Sequence, residues 1–237
     1  MKTKLIALAF AMNAAFATSA FADNNINQIN LNQDEFANFA ESLTNVFSYR
    51  TSTPAEPLGW IGFDIGVSYS QVGSKYKLSN QNPEDSHKVD IVSLHASKGL
   101  PGGFDIGVQY DSLMDSSASS LTGELRYALA EGGIMFPSVS VGGFFTKTSG
   151  INALDMSSYG MDVGISKGFA NLTPYANIGV VSASIDPTLD TTLSTENPTL
   201  MKWSAGVNVN FLMFDVLVGY NQIGENDSYT AKLGYRF

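Results

Sequence analysis

From Trp60 to the C-terminus one pattern recurs about ten times: roughly ten residues in which apolar side chains alternate with glycine, hydroxyl-bearing or charged ones. The clearest copy, GFDIGVSY at 62–69, returns almost unchanged as GFDIGVQY at 103–110. Successive side chains of an extended strand point to opposite faces. Phe63, Ile65, Val67 and Tyr69 therefore share one face, and Gly62, Asp64, Gly66 and Ser68 share the other. A period of two is not a helical period, so this part of the chain must form sheet.

The segments fall at 60–70, 88–98, 103–111, 119–130, 137–147, 157–167, 173–184, 200–210, 213–222 and 228–237. Two are less regular. The second offers only Val92, Leu94 and Ala96 on its outer parity, and the seventh places Tyr175, Asn177 and Val181 on the inner one. A soluble sandwich would bury the apolar face and wet the polar one, which would then be rich in Lys, Glu and Thr. Here that parity is crowded with glycine, including Gly62, Gly66, Gly107, Gly160, Gly164 and Gly219. Glycine weakens an exposed strand, but it lets a sheet curve tightly and leaves room in a confined interior. The polar parity is thus predicted to face inward and the apolar parity outward.

About ten residues is the length with which a tilted strand crosses a bilayer. The connections also alternate. GLPGG (99–103), EGGIMF (131–136), GFANL (168–172) and LM (212–213) are short, whereas 71–87, 112–118, 148–158 and 186–199 are longer and polar. Short turns at one end and long loops at the other are the organisation of membrane-spanning barrels, and an even strand count returns both ends to one side. Trp60, Tyr69, Tyr110, Tyr159, Trp203, Tyr220 and Tyr229 lie near segment ends, where interfacial girdles form. The predicted fold is all-β: an antiparallel transmembrane β-barrel of about ten strands over 60–237, with eight or twelve as alternatives, preceded by an amphipathic helix.

That helix is read at 33–49. Phe36, Phe39, Ala40, Leu43, Val46 and Phe47 follow the spacing of one helical face. Asn32 and Glu35 have capping-box spacing, and Leu31 with Phe36 can form the accompanying staple. The segment 23–59 is expected on the periplasmic side, with the helix covering the lower mouth of the barrel. Lying on the membrane surface and insertion into the lumen are the alternatives, the latter because RTSTPAEPLG could reach about 30 Å if extended. Residues 1–22 carry Lys2 and Lys4, an apolar run from Leu5 to Ala17 and a closing Ala20-Phe21-Ala22. This is the layout of a cleaved secretory signal.

The C-terminal YTAKLGYRF resembles the final-strand signature of Gram-negative outer-membrane barrel proteins, with Tyr229, Leu233, Tyr235 and Phe237 matching its pattern. PAEPLGWIGFDIGV likewise resembles the start of barrels in uncharacterised proteobacterial proteins. The resemblance implies an outer-membrane location, with membrane lipid and the barrel assembly machinery as partners and Phe237 ending the assembly signal. It implies no activity.

Chemistry is sparse. A net charge of −9 disfavours nucleic acid as a partner. No phosphate loop, metal-ligand cluster or nucleophile elbow occurs, so no catalytic residue, metal or cofactor is expected. The inward parity holds Asp64, Asp105, Glu124, Arg126, Asp162, Lys202, Asp215, Lys232 and Arg236. Such a set in a narrow interior points to mutual pairing, with a selectivity lining as the sharper alternative. Asp64 should pair with Lys232 or Arg236 across the seam where the last strand meets the first. His95 reads as a satisfied interior histidine. His87 with Asp85, Asp111 or Asp115 faintly resembles the Asp/His sets at the rim of ten-stranded outer-membrane proteases, the weakest functional reading. The leading expectation is a non-catalytic structural, surface-interaction or adhesive protein. The alternative is a narrow channel for small or apolar solutes with the helix as its plug.

Overall fold

The computed structural model describes residues 29–77, 80–114, 116–189 and 192–237. The signal reading at 1–22 and the stretch 23–28 lie outside the described residues. Ten antiparallel strands form a closed barrel: β1 (Phe63–Lys77), β2 (Asn80–Leu100), β3 (Phe104–Leu113), β4 (Ser119–Ala130), β5 (Ser138–Ser149), β6 (Leu154–Ser166), β7 (Leu172–Pro187), β8 (Thr199–Phe211), β9 (Phe214–Ile223) and β10 (Asn226–Arg236). Each strand pairs with its sequence neighbour, and β10 returns to β1 with Ile65 opposite Tyr235 and Val67 opposite Leu233. Reciprocal backbone bonds between Phe63 and Phe237, 2.9 and 3.0 Å, complete that seam.

The faces are those the alternation requires. Along β3, Ile106, Val108 and Tyr110 are exposed on the outside while Asp105, Gln109 and Asp111 are buried within. Connections β2–β3, β4–β5, β6–β7 and β8–β9 lie at one end, here the turn end, and the opposite end is the loop end.

Four strands run further towards the loop end than the alternation suggested, β6 and β7 by three residues and β1 and β2 by more. The stretch 71–87, read as a loop, instead continues the β1–β2 hairpin up to Lys77 and Asn80, with register shifts around Tyr76. Gln71 and Lys75 occupy the outer positions there, and Lys88 on β2 donates to the Gln71 side chain at 2.7 Å. Above an apolar band the outer face no longer has to be apolar, so polar composition hides an intact ladder.

The helix α1 (Gln33–Phe47) starts where the capping box places it. The Asn32 side chain accepts from the Glu35 N–H at 3.0 Å, and the Glu35 carboxylate accepts from the Asn32 N–H at 3.0 Å. It ends two residues earlier than the sequence suggests, because Arg50 folds back and donates to the carbonyls of Asn45, Val46 and Ser48 at 2.5, 3.1 and 3.0 Å. A cation at a helix C-terminus satisfies carbonyls that have no intrahelical partner.

Its position corrects the expected one. The helix does not cover the mouth at the turn end. It sits inside the barrel at the loop end, where Phe36, Phe39, Leu43 and Phe47 pack in one cluster with Val72, Val89, Ile91, Leu113, Met156 and Ile185. Gln33 at its start donates to the Ser194 carbonyl, 3.2 Å away in the β7–β8 loop. The lumen alternative is the one realised, for a reason visible in the inner parity: near the loop end those positions turn apolar and require an apolar partner. Residues 48–58 then run down the lumen to the turn end. Gly99 lets the chain leave there, since a Cβ on it would stand 1.8 Å from the Gly59 carbonyl oxygen.

Phe39 is fully buried, with its ring edge-on to Tyr76 at 5.3 Å. Phe39→Ala is expected to cost about 3–5 kcal/mol, measured as a lower urea midpoint in lipid vesicles. A loss below about 1 kcal/mol would place the helix outside the packed lumen.

Candidate functional site

The lumen is the candidate site, and it has two zones. At the loop end the inner residues of β1, β2, β3, β6 and β7 form an apolar collar around the helix. Towards the turn end the inner residues are charged, and a non-helical strand of plug descends through them.

Tyr49 marks the boundary. Its hydroxyl donates to Glu124 at 2.8 Å, and its ring lies 5.2 Å from that of Phe144. Val181, irregular on the inner parity of β7, belongs to this cluster together with Phe144 and Ile223. The Lys202 ammonium stands 4.4 Å over the Phe144 ring, donates to the Tyr49 carbonyl at 3.2 Å and pairs with Asp162 at 3.0 Å. Asp162 also accepts from the Thr51 hydroxyl at 3.0 Å. Lower down, Arg126 pairs with Asp105 at 2.8 Å and donates to the Thr53 hydroxyl and the Pro54 carbonyl at 2.7 and 2.9 Å. Asp105 in turn accepts from the Leu58 N–H at 3.1 Å.

The strongest concentration of charge crosses the seam. Lys232 on β10 lies 2.9 Å from Asp64 on β1 and 3.0 Å from Asp215 on β9, and all three side chains are 0% exposed. It also donates to the Ser52 carbonyl of the plug at 3.2 Å. On the far side of Asp64, His95 Nε2 of β2 is 2.9 Å away. Three consecutive strands are thereby tied through one ammonium, and Asp64 extends the contact to a fourth. Gly234 makes this contact feasible, because a Cβ there would stand 2.1 Å from Asp215 Oδ1 and 2.8 Å from Lys232 Cε.

Arg236, the other cation proposed for Asp64, is its Cα partner across the ladder but donates to the Glu56 carbonyl at 3.2 Å instead. Lys232 is opposite Ser68, four residues further along β1. The ion partner is thus set by how the side chains lean along the strands, not by the register alone.

The plug residues of this site, from Tyr49 to Leu58, carry no periodic signal. Only their reach identified them as able to enter the lumen. Nearly every group they offer to the barrel is neutral: hydroxyls, backbone carbonyls and one N–H. The barrel charges pair mainly with each other, as expected of ions removed from water. A void of about 10 Å³ remains between Tyr49, Ser52, His95, Gln109 and Glu124, room for about one water.

The rim Asp/His set is not assembled by the residues described. Asp111 is buried on the inner face of β3, accepting from Gln109 and Ser120 at 2.8 and 3.0 Å. Its ladder partner on β2 is Ser93, whereas His87 pairs opposite Ser74. Six strand residues therefore separate His87 from that level, about 20 Å. Asp115 and the side chain of Asp85 lie outside the described residues. Beyond the apolar band at the loop end, Lys75 and Glu225 form an exposed pair at 2.6 Å. Their hydrogen bond raises the Lys75 pKa and lowers that of Glu225.

No family model matches the chain, and no curated protein does. Solved structures resemble it in architecture. The KdgM porin in complex with disordered oligogalacturonate is 11% identical, covering 73% of this chain and 99% of the porin, with a TM-score of 0.43. LpxR from Salmonella typhimurium is 10% identical over 73% of this chain and 99% of its own, with a TM-score of 0.40. Ail, the attachment invasion locus protein of Yersinia pestis, in complex with the heparin analogue sucrose octasulfate, is 13% identical over 74% and 97%, with a TM-score of 0.30. The barrel itself rests on its own strand order and closure.

Asp64→Asn and Lys232→Met are each expected to cost about 3–5 kcal/mol, with Lys232→Met the larger loss because it strands two carboxylates. In urea unfolding the Asp64 and Lys232 changes should be strongly non-additive, and those at Asp64 and Arg236 additive within about 0.5 kcal/mol. Additivity in the first pair would remove the seam ion pair from the account.

Proposed function

We propose that this chain is an integral outer-membrane barrel of a Gram-negative bacterium, closed by its own N-terminal segment, that acts through its loop-end surface. The observation that carries this reading is the filled lumen. Helix and descending strand occupy it from the loop end to the turn end, leaving about 10 Å³ beside His95 and, at the loop-end mouth, about 140 Å³ between the helix and the ends of β1, β8, β9 and β10. Supporting the location, the outer face is an apolar band on all ten strands with aromatic residues at its upper limit.

In this reading the turn end faces the periplasm and the loop end the exterior. Tyr229, Leu233, Tyr235 and Phe237 form the signal for the assembly machinery, and the leader at 1–22 is removed on export. What remains available to a partner outside is the polar rim: the extended β1–β2 hairpin and the β7–β8 loop braced by Gln33. No catalytic role is proposed.

A channel opened by withdrawal of the plug is the second reading. It is favoured by one observation, that the barrel charges are paired strand to strand and would keep those partners without the plug. The apolar collar weighs against it. Exposing Phe36, Phe39, Leu43 and Phe47 to water would cost on the order of 6–12 kcal/mol. That exceeds the roughly 5.5 kcal/mol by which a ligand inverts a 1:99 equilibrium.

Planar-bilayer recording separates the two. The intact protein is expected to pass no current above leak, while a variant lacking 29–57 conducts. Steady channel openings by the intact protein would overturn the closed reading.

Orientation has its own test, which the absence of native cysteine makes clean. Asp34→Cys should be labelled on intact cells by a membrane-impermeant maleimide, and Asn171→Cys at the turn end only after the outer membrane is permeabilised. The reverse pattern would invert the barrel.

A further inference from the structure

The turns are more apolar than turns in water should be. Between β4 and β5, Ile134, Met135 and Phe136 are three consecutive large side chains, with Ile134 98% exposed. Between β8 and β9, Leu212 is 91% exposed and has a φ of 59°, a backbone region in which a Cβ is disfavoured and glycine or asparagine is usual. Leucine there combines local strain with an exposed apolar side chain, a poor choice for an aqueous turn.

The β4–β5 turn is also built to manage without water. Its Gly133 N–H donates to the Phe136 carbonyl at 3.1 Å. From the neighbouring β6–β7 connection, the Lys167 ammonium donates to the carbonyls of Gly133, Ile134 and Phe136. Three backbone acceptors are satisfied by one side chain, which is what backbone near hydrocarbon requires.

The height of the outer band says what covers this turn. On β5 and β6 its upper limit is marked by the exposed ion pair Lys147 with Asp155. Below that pair the outward positions run from Phe145 to Val139 and from Tyr159 to Ile165, six residue steps each. At about 3.3 Å per residue and a tilt of about 40°, six residues span roughly 15 Å along the barrel axis. A lipid-facing band is about 25 Å tall. On β5 and β6 the band therefore runs out well before it should end, whereas β4 keeps outward apolar side chains from Leu121 to Leu129, and the turn is the apolar surface continuous with them.

We propose that the β4–β5 turn lies in the acyl region of the turn-end leaflet, as an apolar foot that completes the lipid contact where β5 and β6 stop short, and that the β8–β9 turn, whose Leu212 is exposed at the end of a longer apolar run on β8, enters the same region. Lys167 is the positioning residue, holding the β4–β5 turn in the form that carries its side chains into lipid. The proposal rests on the membrane-spanning reading above.

Single-cysteine variants bearing a nitroxide test it in the full-length protein, refolded into vesicles of phosphatidylethanolamine and phosphatidylglycerol. Met135→Cys and Leu212→Cys report on the foot, Leu125→Cys on the band of β4, and Asp34→Cys on water. Collision with dissolved oxygen and with a water-soluble nickel chelate is measured at each. The foot labels should lose nickel collisions to the level of the Leu125 label. Nickel collisions at either foot label equal to those at Asp34, with Leu125 still shielded, would overturn the foot and leave the barrel reading intact. A water-like signal at Leu125 would overturn both.

Discussion

Closure is the constraint on which everything else depends. A sheet surrounded by hydrocarbon has no water to satisfy an open edge, so its first and last strands must meet. Here β10 meets β1 along nine paired positions, from Asp64 with Arg236 to Val72 with Ser228. Lys232 then holds the junction from inside by joining Asp64 and Asp215 across it. Removing the side chains from water is costly for each ion, and the arrangement offsets that by placing one ammonium between two carboxylates with His95 and a backbone carbonyl at hand.

Once the barrel is closed, its interior must be filled, and a ten-stranded barrel has more interior than its own wall supplies. The chain solves this with the segment that precedes the wall. The two zones of the plug match the two zones of the lumen: an amphipathic helix whose large side chains meet the apolar collar, and an extended stretch whose hydroxyls and carbonyls meet paired charges. Arg50 belongs to both, ending the helix by capping its carbonyls and donating to Ser228 on β10 at 3.2 Å. The same complementarity shapes function. A lumen lined only with charge would be suited to a pore, whereas an apolar collar is stable only while something apolar occupies it.

The outer face obeys a simpler rule. Lipid asks for apolar area and for no unsatisfied backbone, and the wall supplies both through alternation and pairing. Where strands end early, the turns carry the remaining apolar side chains, and Lys167 supplies the hydrogen bonds that water would otherwise make.

The sequence by itself determined the wall. The existence of all ten strands, and the inside and outside of the eight regular ones, follow from period-two alternation, because the pleat assigns faces locally and one outer solvent acts on every strand alike. The capped start of the helix at Asn32 and Glu35 was legible for the same reason, being a contact within four residues. The occupant of the lumen was decided only by the tertiary structure. Val72 and Tyr76 were hidden in a polar stretch, and Val181 looked like an irregularity, because an inner position takes its character from what lies across the barrel. The choice of Lys232 over Arg236 for Asp64 was likewise settled by side-chain lean and the missing Cβ of Gly234. Alternation tells a residue which way to face, and only the closed barrel determines what it meets there.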